Sequence, residues 1–263
     1  MSLSISSTIV QAYNGNVGQI NNLNKQLASG KKDLNPAEEG IVLRLRSQVT
    51  GYDAAQKNIN SGNSVISVAT SGLSNIANII QKLQDISNQA SVSNLSDSDR
   101  TNLNSTAQSL ISQITDIAES SEVNGANLLS ASATDLNVTV GAEASNVVTV
   151  NKQNADSASL GIDAIDISTK DGATAAVTAL KAAMGQVSAS QSALAASRTG
   201  LDARQNTITS IQNNLNSTIS NIEDIDQAAV QQKLSQLNQA VSINLWQVQQ
   251  LSQANQSLLK IFQ

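Results

Sequence analysis

The sequence predicts a mainly α fold: an elongated antiparallel helical bundle or coiled coil with nested N- and C-terminal helices and a small β-hairpin region. Three observations predict it. Apolar residues recur every seven positions over two long stretches, first at Leu45, Tyr52, Ile59, Ile66, Leu73 and Ile80, then at Leu180, Val187, Leu194, Leu201, Ile208 and Leu215. Both terminal segments carry narrower stripes of the same kind. Strand-like alternation is confined to roughly thirty central residues.

Composition agrees. Aromatic residues are 2% of the 263 and charged residues 13%, against about 25% charged in an ordinary soluble domain. Large rings supply much of the buried area of a compact globule, so Leu, Ile, Val and Ala seams suit long bundles better. The chain has no Cys and no His, which excludes disulfides, thiolate chemistry, imidazole metal ligands and His-dependent triads. A net charge of −5 without a basic cluster argues against nucleic acid. No apolar run of about 18 residues is present to span a membrane. The first residues lack the basic and apolar regions of a Sec signal peptide, so export would take another route.

Residues 1–28 read as one helix with a stripe of Ile5, Ile9, Ala12, Val17, Ile20, Leu23 and Leu27. Gly30 stands in a C-cap place, and Lys31 and Lys32 sit near the negative helix end. Asn35-Pro36-Ala37-Glu38-Glu39 opens the next helix: Asn caps, Pro suits the first position, and the acids face the positive end. That helix runs from Pro36 to about Ala90, some 80 Å at about 1.5 Å per residue. Beside its bulky line lies a second, Ala55, Gly62, Ala69, Ile76, Leu83 and Ala90, whose small members admit a close partner. Gly62 and Gly72 cost about 1 kcal/mol each in propensity, which packing must offset.

Ser96 or Ser98 caps a shorter helix, with Leu103, Ala107, Leu110, Ile114 and Ile117 inward, ending at Val123-Asn124-Gly125. Leu136–Val140 and Val147–Val150 alternate and predict a β-hairpin, and Ile162–Ile167 predicts a further short strand. The helical period returns at about Asp171 and runs to Ile222, with Ala183, Ser190 and Ser197 beside the seam; the natural partner is the 36–90 helix. The last helix, from Gln227, places Val230, Leu234, Leu237, Val241, Leu245, Val248, Leu251 and Leu258 on one stripe. Two discontinuous domains follow: 1–33 with 226–263, a terminal coiled coil for assembly, and 34–225, a helical bundle holding the β region at about 134–168.

Several motifs then resemble bacterial flagellin. Leu27-Ala-Ser-Gly-Lys-Lys-Asp-Leu-Asn-Pro-Ala-Glu-Glu-Gly40 is similar to that family's basic turn and acidic pair. Val123-Asn124-Gly125 is similar to its F-N-G turn, with Val for Phe. Asn214 to Ala229 resembles its Asn/Asp-spaced segment, and Leu251-Ser-Gln-Ala-Asn-Gln256 matches its terminal L-x-Q-A-N-Q. The resemblance covers nearly the whole chain. It implies a structural, non-enzymatic subunit with no cofactor, exported unfolded by a type III apparatus and polymerised outside the cell into a motility filament. The implied partners are further copies of the chain, an export chaperone, the filament cap and hook-associated junction proteins. The variable outer domains common in the family are missing, as in a short form. Ile80, Gln81, Lys82, Leu83, Gln84, Asp85 and Ile86 align with the family's innate-immune receptor motif, where Gln81, Lys82, Asp85 and Ile86 are the candidate contacts. Lys82 replaces a forked Arg with a point charge and Gln84 lacks a charge, so weak or absent recognition is expected.

Plainer alternatives stand beside these readings. The terminal stripes, with Ile5, Ile9, Val17, Ile20, Leu27, Val230, Leu234, Leu237, Val241, Leu245, Trp246, Val248, Leu251 and Leu258 as the candidate assembly residues, could be ordinary intramolecular core. Trp246, Tyr13 and Phe262 could serve helix packing, with Trp246 as an inter-subunit anchor the other reading. The pairs Glu38/Glu39 and Asp224/Asp226 read as helix-end charges with Arg44, Arg46, Arg198 or Arg204 as partners, rather than as acid–base groups. At the level of function, a hook–filament junction protein and a secreted coiled-coil translocator or adhesin are the rivals.

Overall fold

A computed structural model describes the backbone of residues 2–261 and the side chains of residues 7–254, 256 and 257. The side chains of Ile5 and Leu258, and all of Phe262, lie outside the described residues. Five helices and two small antiparallel ribbons follow in order: α1 (Ser2–Ser29), α2 (Pro36–Ala90), α3 (Asp97–Ser120), β1 (Glu122–Val123), β2 (Ala126–Asn127), β3 (Leu136–Thr139), β4 (Val147–Val150), α4 (Lys170–Glu223) and α5 (Gln227–Ile261). The chain divides into two compact units, residues 1–46 with 215–263 and residues 47–214. The first unit therefore extends past the expected edges at 33 and 226, to Arg46 and back to Leu215. It includes the start of α2 and the end of α4 because neither helix breaks where the chain leaves the terminal segments.

In the second unit α2 and α4 run antiparallel. Gln212 Nε2 donates to Asp53 Oδ1 at 2.7 Å, Gln56 Nε2 to Gln212 Oε1 at 2.7 Å, and Asn63 Nδ2 to Asp202 Oδ1 at 2.9 Å. Further along, Gln191 Nε2 reaches Ser74 Oγ at 3.4 Å. Each step up α2 meets a step down α4. Between these bonds lie the two heptad lines. Ile59, Ile66, Leu73, Ile80, Leu180, Val187, Leu194, Leu201 and Ile208 are buried and Tyr52 is half-buried, as are Leu45 and Leu215 of the first unit. Gly62 lies on this face for a steric reason: a Cβ there would stand 2.8 Å from Val138 of β3 and 3.4 Å from Leu201 of α4. The low helix propensity of this glycine is offset by the closeness of that packing.

The third helix turns Ala107, Ile111, Ile114 and Ala118 inward at steps of four, three and four. Its N-cap is Ser96, whose side chain accepts from the Asp99 amide at 3.1 Å. Its first turn also carries Arg100, which is 5% exposed. The Arg100 guanidinium donates to the carbonyls of Ala90, Val92 and Leu95, so it closes the C-terminus of α2 from a neighbouring helix. Asn124 (φ 52°) and Gly125 (φ 78°) make the two-residue turn between β1 and β2, the Asn-Gly pair that such a turn favours.

β3 and β4 pair from Leu136↔Val150 to Thr139↔Val147, across a loop at Gly141–Asn146. The strand expected over 162–167 is absent. Ile162, Ile165 and Ile167 are buried as that alternation suggests, but turns place them, with the Ile162 amide bonded to Ser157 O and the Ile165 amide to Ile162 O. Side chains of α3 hold this segment instead: Gln108 Nε2 donates to Ile165 O at 2.6 Å and Asn104 Oδ1 accepts from the Ile167 amide at 2.9 Å.

Replacing Arg100 with Met leaves those carbonyls without their donor in a buried place. Urea unfolding of Arg100→Met should show a loss of about 1–3 kcal/mol with an unchanged slope. An unchanged midpoint would remove the cap from the account.

Candidate functional site

The first unit is built very differently from the second. α1 and α5 pack against each other along Ile9, Tyr13, Val17, Ile20, Leu23 and Leu27 on one side and Val230, Leu234, Leu237, Val241 and Leu251 on the other. Among the described residues of these two helices, only Leu237 is buried, at 7% exposure. The rest of the seam is half-covered. Ala12, expected on the stripe, faces outward.

Part of the α5 stripe also leaves the seam. Leu245 is 46% exposed, Trp246 60% and Val248 36%, and Ile243 joins them at 55%. Asn244 is the half-buried residue at that level. The expected stripe takes two steps of four in succession, Leu237 to Val241 to Leu245, and eight residues turn the helix about 80° past two full turns, so the seam continues through Asn244 instead. Trp246 therefore makes no core contact of the sort helix packing alone would give it, and four large apolar side chains, Ile243, Leu245, Trp246 and Val248, stand open around α5. On α1, Val10 is 46% exposed.

Charge reinforces the contrast. No Lys, Arg, Asp or Glu occurs between Ser2 and Asn24, nor between Leu234 and Leu259. The outward faces carry Asn, Gln and Ser instead. Charges crowd at the base of the pair, where each terminal helix gives way to an inner one. There Lys32 N donates to Glu223 O at 2.7 Å and Ile225 N to Gly30 O at 3.3 Å, a short antiparallel bridge between the outgoing and returning chain. Gly30 makes the bend at φ +70°.

Glu223, at the end of α4, locks this joint. Its buried carboxylate accepts from Lys31 Nζ at 2.6 Å and from Arg46 Nη2 at 2.6 and 2.9 Å. The Lys31 hydrogen bond chiefly, and the nearby Arg46 charge in addition, hold the Glu223 carboxyl below the ordinary glutamate range against the opposing effect of burial. Asn35 and Glu38 form a capping box: Asn35 Oδ1 accepts from the Ala37 and Glu38 amides at 3.0 Å, and Glu38 Oε2 accepts from the Asn35 amide at 3.1 Å. Glu38 also pairs with Lys32 at 2.7 Å, and that bond is the main cause of its lowered pKa. Asp226 Oδ1 caps α5 through the Ala229 amide at 3.1 Å.

The partners thus differ from those expected. Glu38 takes Lys32, and Arg46 takes Glu223, a residue that the sequence reading passed over. Its signal lay one position before the Asp224/Asp226 pair, and nothing local marks it as a partner for residues far up the chain. The receptor-motif residues lie in the second unit. Ile80 and Leu83 are core, Gln81, Lys82 and Asp85 are exposed, and Ile86 is half-buried.

Both carboxylates at the joint have lowered folded pKa values. Their stabilisation is therefore complete above the ordinary glutamate value of about 4.3 and is lost as pH falls through the lowered one. Hydrogen exchange of the Lys32 and Ile225 amides, corrected for intrinsic rates, should rise severalfold on acidification below about pH 4. Glu223→Gln should show the faster exchange already at neutral pH and a diminished acid step. Equal protection in the variant would show that the joint does not depend on this carboxylate.

Comparison with known proteins adds the lineage. A family model for the bacterial flagellin N-terminal helical region matches residues 2–134. The flagellin of Listeria monocytogenes is 25% identical over 253 residues, covering 89% of this chain and 87% of that one. Escherichia coli flagellin is 25% identical over 159 residues, 60% of this chain and 31% of that longer protein. Among solved structures, a Bacillus cereus flagellin covers 58% of this chain and 88% of its own, with a TM-score of 0.53 at 20% identity. A putative flagellar hook-associated protein from Vibrio parahaemolyticus covers 71% and 98%, with a TM-score of 0.58 at 14% identity, a likeness of fold alone. With half of its length matched to the family model, the chain belongs to the bacterial flagellin family.

Proposed function

We infer that the chain is a self-assembling structural subunit of a bacterial flagellar filament, and that α1 and α5 are its principal assembly surfaces. The observation that carries the assignment of surfaces is the exposure of Ile243, Leu245, Trp246 and Val248 around α5, on a helix pair with one buried residue among those described and no charge along most of its length. Covering a large apolar side chain contributes about 1.5–3 kcal/mol, so four half-open ones offer several kcal/mol per subunit to neighbouring copies. Tyr13, Val17, Ile20 and Leu27 on α1, with Val230, Leu234, Leu237, Val241 and Leu251 on α5, form the seam that those neighbours complete. In the sequence, Ile5 and Leu258 continue the same spacing. The reaction is association, and no catalytic role is assigned to any residue.

The family resemblance supports the finer reading as well. The subunit passes out unfolded through a type III apparatus, with an export chaperone before export and cap and junction proteins as its neighbours at the filament ends. A weakly self-covered terminal pair suits a chain that must thread a channel and then order on arrival, because folding and binding become one step. Lys82 and Gln84, in place of a more highly charged motif, favour weak engagement of an innate-immune receptor. A hook–filament junction protein is the second reading, and it differs in one behaviour: it terminates a polymer and does not extend it.

Electron microscopy of purified protein with sheared filament seeds tests both. The intact chain should elongate from seeds. Trp246→Ser combined with Leu245→Ser should reduce elongation by at least about tenfold, with far-UV circular dichroism and the thermal transition of the inner helices unchanged. Undiminished elongation in that variant would remove Leu245 and Trp246 from the interface, and binding to seeds without growth would favour the junction reading. Purified monomer applied at low concentration to receptor-bearing cells should give little response; robust activation would overturn the receptor reading.

A further inference from the structure

Two Asn-Gly pairs occur in the chain, Asn14-Gly15 and Asn124-Gly125. The first lies inside α1, in helical conformation. The second is the whole of the turn between β1 and β2, and both of its residues are exposed. Asn124 stands at φ 52° and Gly125 at φ 78°. A Cβ at Gly125 would meet nothing within 4 Å. Among the described residues, no partner takes the side-chain amide of Asn124 or the backbone N–H of Gly125. Asn63, Asn104 and Asn216, each followed by a serine, lie within α2, α3 and α4.

Three residues after Asn124, Asn127 is bound on every side. Its Nδ2 donates to the carbonyls of Ala118 at 2.8 Å and Glu119 at 2.9 Å, and its Oδ1 accepts from the amides of Leu129 at 2.7 Å and Ser130 at 3.0 Å. This one side chain closes the end of α3. It also fixes the start of the segment that buries Leu128 and Leu129, 1% and 0% exposed. The ribbon sets its place: the register Glu122↔Asn127 and Val123↔Ala126 needs a loop of two residues. Asn127 is thus the bound end of a latch, and Asn124-Gly125 its unbound end.

We propose that Asn124 is a site of spontaneous intramolecular deamidation, and that conversion there releases the Asn127 latch. The Gly125 nitrogen bonds to Asn124 Cγ, the bond from Cγ to Nδ2 breaks, and the Gly125 proton leaves with Nδ2 as ammonia. The five-membered imide then takes up one water at either carbonyl. One opening leaves an aspartate. The other leaves an isoaspartate, whose main chain runs through the former side chain and is longer by one methylene. Water is the sole co-reactant. Ring closure needs a rotation about the Asn124 Cα–C bond. A glycine next in line, open space around it and a ribbon only two pairs long leave that rotation little opposed. Both products add a carboxylate near Glu119 and Glu122, which line one cleft with Gly125. The isoaspartate also lengthens a loop whose two-residue length sets the register. This inference goes beyond the filament reading and stands apart from it.

The test holds the full, folded chain in mildly alkaline buffer beside a sample unfolded in urea. Peptide mapping reads conversion as a mass gain of one dalton, and methyl transfer by an isoaspartyl methyltransferase reads the isoaspartate. Asn124 should convert in both samples, whereas Asn63, Asn104, Asn127 and Asn216 should stay intact in the folded one. Hydrogen exchange at the Leu129 and Ser130 amides should rise severalfold in the converted chain. Asn124→Asp, which carries the charge without the added methylene, should keep those amides protected. An Asn124 that survives in the folded chain while the unfolded chain converts it overturns the proposal. So does a converted chain whose Leu129 and Ser130 amides exchange no faster than before.

Discussion

The property on which the rest depends is the inability of α1 and α5 to cover one another. A two-helix pair offers each helix one flank, and a stripe wide enough to be useful to several neighbours is wider than one flank can hide. One buried residue among those described on the pair, against dozens in the second unit, is the direct expression of that geometry. The hydrophobic contribution scales with area removed from water, so the pair is marginal by itself and gains most of its stability from whatever lies against it. In the filament proposed above, order in the terminal helices and association of copies are then two descriptions of one equilibrium.

The second unit shows what a self-sufficient arrangement of the same residue types requires. There each apolar line is faced by another, a third helix and two ribbons cover the remaining flanks, and the helix ends are tied by side chains from other elements. The bonds Asp53–Gln212, Gln56–Thr209 and Asn63–Asp202 add something that the heptads lack. A seam repeating every seven residues is nearly degenerate under a slip of seven. A slip of that size would set Asn63 against Ala195 in one direction and Asp53 against Ile219 in the other. Such unpaired polar groups are costly when buried, so the polar bonds select one register for the apolar seam.

These two kinds of information explain what could be read in the sequence. Heptads, the Asn35-Pro36 start of α2, the Ser96 cap and the Asn124-Gly125 turn are local, and each is set by chemistry within one helical turn or one ribbon. The Glu223 joint and the Arg100 cap are not. Lys31 and Glu223 are brought together by the return of the chain, and Arg100 looks like any exposed helix residue until the α2 terminus is placed beside it. The 162–167 segment misleads for a related reason: alternating burial reads as a strand, but a turn-rich loop lying along α3 can bury the same residues. The exposure of Leu245 and Trp246 required knowing that the seam steps by three from Val241 to the polar Asn244, where the apolar residues suggest a step of four. The burial of Ile80 and Leu83 beside exposed Gln81, Lys82 and Asp85 likewise needed the helix phase that the bundle sets.

The distribution of charge follows from the same reasoning. If copies cover the outer faces of α1 and α5, any ion there would lose its hydration, at several kcal/mol unless a partner were perfectly placed. Selection for a surface that many copies share would then clear ions from it while keeping Asn, Gln and Ser, which satisfy neighbours from either side by donating or accepting. At the joint the reasoning reverses. Lys31 and Arg46 remain about half-exposed, so their pairing with Glu223 costs little hydration at the cation end and gains a directional bond across a bend. A hydrophobic contact there would tolerate many angles. A carboxylate gripped by two cations from different passes of the chain tolerates few, and that is the property needed where the helices that assemble meet the helices that fold.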